Sequence, residues 1–215
     1  MTAIETPGRV PGVLGAGGAI AIIGGALLVL LLQFVPPTNA ISPLRRTISE
    51  YSLSPNKWIF NLALILIATG SAVLFVLHAL RRTMPATALF AGGVWTVSLL
   101  IVAAFPKTDW AVGPSTGGTV HRIASIIGFI VLPAGVLIAS GRAFPDDVGW
   151  RWVARVLSLA ALGLFALILT GVVVMLSGGG PWWTFVPIGL VQRVMALVDL
   201  LAVATLAVPL LRSGA

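Results

Sequence analysis

Apolar residues along this chain run in blocks of about twenty, the number a helix rising ~1.5 Å per residue needs to cross a hydrocarbon core about 30 Å thick. The blocks run from Val13 to Val35, Trp58 to Leu80, Pro85 to Phe105, Val120 to Ser140, Val153 to Leu176 and Ile188 to Leu211. None alternates apolar and polar positions as a membrane β-strand does. A backbone in lipid must satisfy its own hydrogen bonds, so the pattern predicts an all-α bundle of six transmembrane helices. The connections are short and no Ser- or Pro-rich linker separates two cores, so residues 1–215 are expected to form a single integral membrane domain. The first block is too long, and followed by too many others, to be a cleaved leader.

The connection between the first two blocks, "ISPLRRTISEYSLSPNKW", has punctuation of its own. Ser42 before Pro43 and Ser54 before Pro55 each pair an N-cap with a proline at the first helical position, where a missing N–H costs nothing. This predicts a short interfacial helix from Pro43 to about Tyr51 and a second span starting at Pro55. In that helix Leu44, Ile48 and Tyr51 share one face, while Arg46 and Glu50 stand four residues apart on another.

Composition agrees with the pattern: 58% of residues are hydrophobic and 9% charged, and the mean hydropathy is +1.07. A water-soluble globule of this kind would lack polar residues to cover its surface. The net charge of +7 is spread in twos and threes at span ends, which fits anionic lipid headgroups and membrane lipids as partners and argues against nucleic acid. The absence of cysteine excludes disulfides, thiol nucleophiles and thiolate metal sites. With the N-terminus inside, Arg9, Arg81, Arg82, Arg142, Arg151, Arg155 and Arg212 are cytoplasmic, against Arg45, Arg46, Lys57, Lys107, Arg122 and Arg193 outside. The tight, doubly basic "LRRTMP" turn favours that orientation, with both termini cytoplasmic in the cell membrane.

Odd-numbered connections emerge on one side of a bilayer, so Arg45, Arg46, Glu50, Lys107, Asp109, His121, Arg122 and Arg193 share a membrane face whichever way the chain inserts. Each alone reads as an interfacial charge reaching for headgroups. "PIGLVQRVMALVDL", however, places Gln192 and Arg193 inside the sixth span. A lone guanidinium there is expensive, so Arg193 is expected to pair with Glu50 or Asp109. Asp199, deeper in the same span and seven residues from Gln192, is either a neutral packing residue or a proton or cation site. His121 with Asp109 is a candidate acid/base pair that would orient Ser49 as a nucleophile. His78 and His121 lie at opposite faces and cannot share a haem, and no tight zinc-ligand spacing exists, so no cofactor or metal is expected.

The remaining motifs read as packing. Gly17, Ala21 and Gly25 form a small-xxx-small stripe, and Trp58, Trp95, Trp110, Trp150, Trp152, Trp182 and Trp183 fall mostly near span ends as interfacial anchors.

"LRRTISEYSLSPNKWIFNLALILIATG", "AAFPKTD" with "HRIASIIGFIVLPAG", and "GLVQR", in that order from Arg45 to Leu211, resemble the bacterial membrane family catalogued as domain of unknown function 998. The resemblance implies six spans and no established activity, with recurrent polar positions at Arg46, Ser49, Glu50, Asp109, His121 and Arg193. The family's Phe-Pro-Thr-Asp is interrupted here by Lys107, which shifts Asp109 by one residue. "ISEYSLSPNKWIF" is also similar to the opening motif of Frag/DRAM/Sfk-type eukaryotic membrane proteins, implicated in lipid remodelling, lipid asymmetry and autophagy; that likeness implies a lipid ligand.

These readings converge on a pocket for an anionic lipid or other amphiphile at the extracytoplasmic end of the bundle. Arg45, Arg46 and Arg193 would contact its anion; Glu50, Asp109, His121 and Gln192 would orient those cations and supply hydrogen bonds. Three other classes stay open: a lipid-modifying hydrolase or transferase using His121 and Asp109, a transporter using Asp199, and a structural subunit with a membrane-protein partner.

Overall fold

The computed structural model describes residues 9–212, and side chains within that range except those of Arg9, Val10, Pro11, Trp182 and Thr184. The anchoring expectation for Trp182, and residues 1–8 and 213–215 of the expected unit, lie outside the described residues. Helices run from Arg9–Leu31 (α1), Lys57–Leu80 (α2), Ala86–Ala104 (α3), Thr116–Ala143 (α4), Val148–Leu176 (α5), Trp182–Phe185 (α6), Ile188–Thr205 (α7) and Ala207–Arg212 (α8), with no strand among the described residues. Six spans are long and apolar enough to cross a membrane, α7 and α8 together making the sixth.

Helices α4 and α5 start earlier than hydropathy places them, because a cap opens a first turn ahead of each apolar block. Ser115 Oγ accepts from the Gly118 N–H at 3.1 Å and opens α4; Asp147 Oδ1 accepts from the Trp150 N–H at 3.0 Å and opens α5. Each cap satisfies an N–H that the helix itself leaves without a partner. The sixth span is broken between α7 and α8. Pro209 has no N–H to return to Thr205, and its ring crowds that carbonyl, so the helix interrupts at Leu206. His78, at the end of α2, fills the break: its Nε2 donates to the Leu206 carbonyl at 2.8 Å, which leaves Nδ1 to accept from the Thr83 hydroxyl at 2.7 Å.

The spans pack as a closed ring. α1 lies on α2, α2 on α3, α3 on α4, α4 on α5, α5 on α7, and α8 returns to α1, while α4 also touches α7. The α1–α2 contact uses small residues, at Ala21 and Gly25 of the expected stripe and at Gly18 beside it. Gly17 faces open space, whereas Gly18 and Gly70 stand backbone to backbone, and a Cβ on Gly25 would lie 2.6 Å from the Ala63 carbonyl. Trp95 also departs from the interfacial pattern: it is buried in mid-α3 and its indole N–H donates to Ser71 Oγ at 3.1 Å.

The expected interfacial helix is shorter and tighter. Residues 43–46 form a turn, held by the Arg46 N–H on the Ser42 carbonyl at 3.0 Å, and a 3-10 helix follows from Ile48–Leu53. Ser54–Pro55–Asn56 is a second turn, and α2 begins at Lys57. A Ser-Pro pair starts a turn as readily as a helix, and here the turn wins because its carbonyls are taken by another element.

Candidate functional site

That element is the first turn of α7. The opening N–H groups of a helix have no partner within it, and those of Gly189 and Leu190 reach the Leu44 carbonyl at 3.0 and 3.3 Å. The approach is close enough to require glycine, since a Cβ at residue 189 would stand 2.6 Å from the carbonyls of Pro43 and Arg46. One turn further on, Gln192 Oε1 accepts from the Ile48 N–H at 2.8 Å. Arg193 completes the clamp. Its Nη1 donates to the carbonyls of Arg46 at 2.7 Å, Pro43 at 3.0 Å and Gly189 at 3.0 Å. Its Nη2 donates to the hydroxyl of Tyr51 at 3.2 Å, and the guanidinium carbon lies 5.9 Å from the centre of that buried ring. "GLVQR" is therefore a backbone clamp: glycine for approach, glutamine as acceptor, arginine as a multiple donor.

The expected ion pair of Arg193 with Glu50 or Asp109 is replaced by this clamp, and Arg193 forms no salt bridge among the described residues. Glu50 instead accepts from Lys107 Nζ at 2.7 Å, both side chains being mostly buried, and pairs more loosely with the exposed Arg46 at 3.6 Å. The Lys107 N–H donates to Ser52 Oγ at 3.1 Å, so the first connection is tied to the third as well as to α7. Lys107 thus supplies the cation for Glu50. Asp109 is exposed and caps its own turn, accepting from the Ala111 N–H at 3.0 Å. Arg45 and Arg122 are exposed too.

Beneath the clamped loop lies a cavity of about 450 Å³ among α1, α2, α3, α4 and α7, a size within the range of roughly 300–1,000 Å³ typical of small-molecule sites. Its deep walls are apolar, with Phe60, Leu64, Trp95, Leu99 and Leu197 among them. Its polar lining is Ser98 along the α3 wall and, toward the loop end, Gln33, Ser49, His121, Ser125, Gln192 and Arg193. Of the expected site residues, Ser49, His121, Gln192 and Arg193 line this space, while Arg45, Arg46, Glu50, Asp109 and Asp199 do not. Asp199 falls on the fully buried stripe of α7 with Val191, Met195 and Ala202.

Two polar atoms at the loop end have no partner among the described residues: Arg193 Nε and His121 Nε2. His121 is only 3% exposed. Its Nδ1 lies 2.6 Å from the Phe105 carbonyl; a carbonyl can only accept, so Nδ1 carries a proton. Phe105, not Asp109, therefore orients the imidazole. Ser49 Oγ is 3.4 Å from Thr47 Oγ1 and His121 Nε2 has no partner among the described residues, so no nucleophile–base–acid chain is assembled from Ser49, His121 and Asp109. The clamp and the cavity were invisible in the sequence because both depend on where a turn's carbonyls lie. Gly189, one turn before Arg193, was the available signal for the close approach.

Fold and site together define a class: a six-span α-helical membrane protein with an amphipathic chamber roofed by a stapled loop. The chain matches the family described as "Protein of unknown function (DUF998)" over residues 11–209, and it belongs to that family. No curated protein and no solved structure matches the chain.

Proposed function

We propose that this protein binds an anionic amphiphile, with the head at the Arg193–His121 end of the chamber and the hydrocarbon chain along its apolar walls. In this reading it resides in the cell membrane with both termini cytoplasmic, so that the head sits at the extracytoplasmic end. The observation that carries it is a cavity-lining guanidinium with carbonyl and phenol partners only. These dipoles satisfy Nη1 and part of Nη2 but leave the net charge unneutralised and the buried Nε–H without an acceptor. A phosphate or carboxylate group in the chamber supplies the missing countercharge.

Access from the bilayer supports the same reading. A lipid-facing groove of about 590 Å³ between α3 and α4 shares Ser98 and Ala124 with the chamber. Both shared residues have small side chains, which suits a ligand arriving sideways from the membrane.

Native mass spectrometry of protein purified in mild detergent tests the proposal. Wild type is expected to carry an anionic lipid adduct that Arg193→Gln loses. Because Arg193 also clamps the loop, Ala196→Phe serves as a second variant: it fills the chamber from its α7 wall and leaves the clamp intact. A wild type without adduct, or adducts equal in all three proteins, overturns the proposal. A second reading, proton- or cation-coupled transport, draws on Asp199, which is 0% exposed with neither carboxyl oxygen partnered among the described residues. Unchanged pH-dependent flux by Asp199→Asn in proteoliposomes removes it.

A further inference from the structure

A second guanidinium stands inside a span at the opposite end of the bundle from the roof. Arg155 lies seven residues after the start of α5 at Val148, and Ser140 lies three residues before the end of α4 at Ala143. Arg155 Nε donates to Ser140 Oγ at 3.0 Å. The side chain thus crosses from one helix to the other and turns back toward the membrane surface, as a long cation rooted in a span does. Ser140 is fully buried, and its own hydroxyl donates to the Leu137 carbonyl at 2.8 Å, which leaves its lone pairs for Arg155. The guanidinium carbon stands 5.6 Å from the ring centre of Trp152, an exposed indole of the same helix. A buried hydroxyl therefore anchors Nε while an aromatic ring attracts the cation.

The other two nitrogens of this fork are open. Nη1 and Nη2 make no hydrogen bond among the described residues and, unlike Arg193 Nε, keep accessible surface. No carboxylate among the described residues pairs with Arg155: the nearest acids are the exposed Asp146 and Asp147, which caps α5 and pairs with Arg212. Neighbouring Arg151 is committed to the carbonyls of Phe144 and Pro145. We propose that the Nη1–Nη2 edge of Arg155, held beside Ser140 and Trp152, binds the phosphate of an anionic phospholipid in the leaflet opposite the roof. Two N–H groups of a planar fork match two phosphate oxygens. A lipid phosphate already lies at the interface where this side chain emerges, and the exposed indole is suited to the glycerol and upper chains beside it. Arg142, Arg151, Arg155 and Arg212 outnumber Asp146 and Asp147 at this end, which favours a head of net negative charge. The site is independent of the chamber, which none of Ser140, Trp152 and Arg155 lines.

Native mass spectrometry of detergent-purified protein titrated with dioleoylphosphatidylglycerol tests the site. Arg155→Gln is expected to weaken one binding step about tenfold, the worth of a hydrogen bond to a charged group. Arg142→Gln removes the same charge from an exposed residue at the same end and is expected to leave that step unchanged. Equal weakening by both variants, or none by Arg155→Gln, overturns the proposal. Ser140→Ala keeps the cation and removes the anchor of Nε, so it decides the matter even where Arg155→Gln does not fold. It is expected to weaken the same step about threefold, the worth of one neutral hydrogen bond, and unchanged binding overturns the proposal. Inorganic phosphate in large excess separates a lipid head from a free anion: the adduct is expected to persist, and its displacement overturns the lipid assignment. Arg193→Gln bears on the chamber alone, so loss of one adduct there and of another at Arg155 scores the two readings separately.

Discussion

At Arg193 a cation inside a membrane span is held by oxygen dipoles instead of by a carboxylate. Sequence reasoning placed an acid beside it because unpaired charge in lipid is costly. Part of that cost is offset by the carbonyls of residues 43 and 46, whose position follows from a turn. Arg193→Lys keeps the charge but has one nitrogen for acceptors that now contact two. It is expected to lower stability by ~1–3 kcal/mol, measured by thermal unfolding in detergent, and an unchanged melt would contradict the clamp. Glu50 makes a graded pair of predictions. Its partner Lys107 is 16% exposed whereas Arg46 is 67% exposed, so Arg46→Ala is expected to cost under about 0.5 kcal/mol. Lys107→Ala leaves a mostly buried carboxylate with only that loose partner and is expected to cost more, about 1–2 kcal/mol.

Between elements, the shortest approach of α1 to α2 is through Gly18 and Gly70, where a Cβ on Gly70 would collide with the Gly18 carbonyl. Gly70→Ala is expected to destabilise by about 1–3 kcal/mol through overpacking. Gly17→Ala, on the open face, is expected to be neutral, and equal effects on the melting temperature would show that the stripe is wrongly placed. The cap of α5 has a pH signature. The Trp150 N–H, with help from Arg212, holds the Asp147 carboxyl below the ordinary carboxylate range. Its contribution is fully present above the unfolded carboxylate value and disappears as pH falls through the lower folded value. Wild type is therefore expected to lose stability relative to Asp147→Asn only at strongly acidic pH, in melts recorded from neutral to acid; a gap that closes near neutrality would contradict the cap. Six apolar runs were legible because membrane thickness sets their length. Helix ends at Ser115 and Asp147 were not, because capping extends a helix past its apolar block. The break at Leu206 was signalled by Pro209 within "AVPLL" and was concealed by the hydropathy around it.

For the molecule as a whole, the charged stretch between the first two spans is a roof. Ile48 and Ser49 line the chamber, the adjoining backbone is stapled to α7 by Gln192 and Arg193, and Glu50 ties the roof to the third connection. That charge-rich residues gather at one end was legible from the alternation of connections. Which of them reach the chamber was not, since Asp109 and Arg45 share that end yet turn to their own loops or to the surface. The central claim is that an anionic head occupies the roofed end of this space. A structure of the protein in nanodiscs containing anionic lipid tests it most directly. The expected density has an anionic head beside the Arg193 guanidinium at the roofed end and a chain running past Trp95 and Leu197; an empty chamber, or a head placed elsewhere, contradicts it.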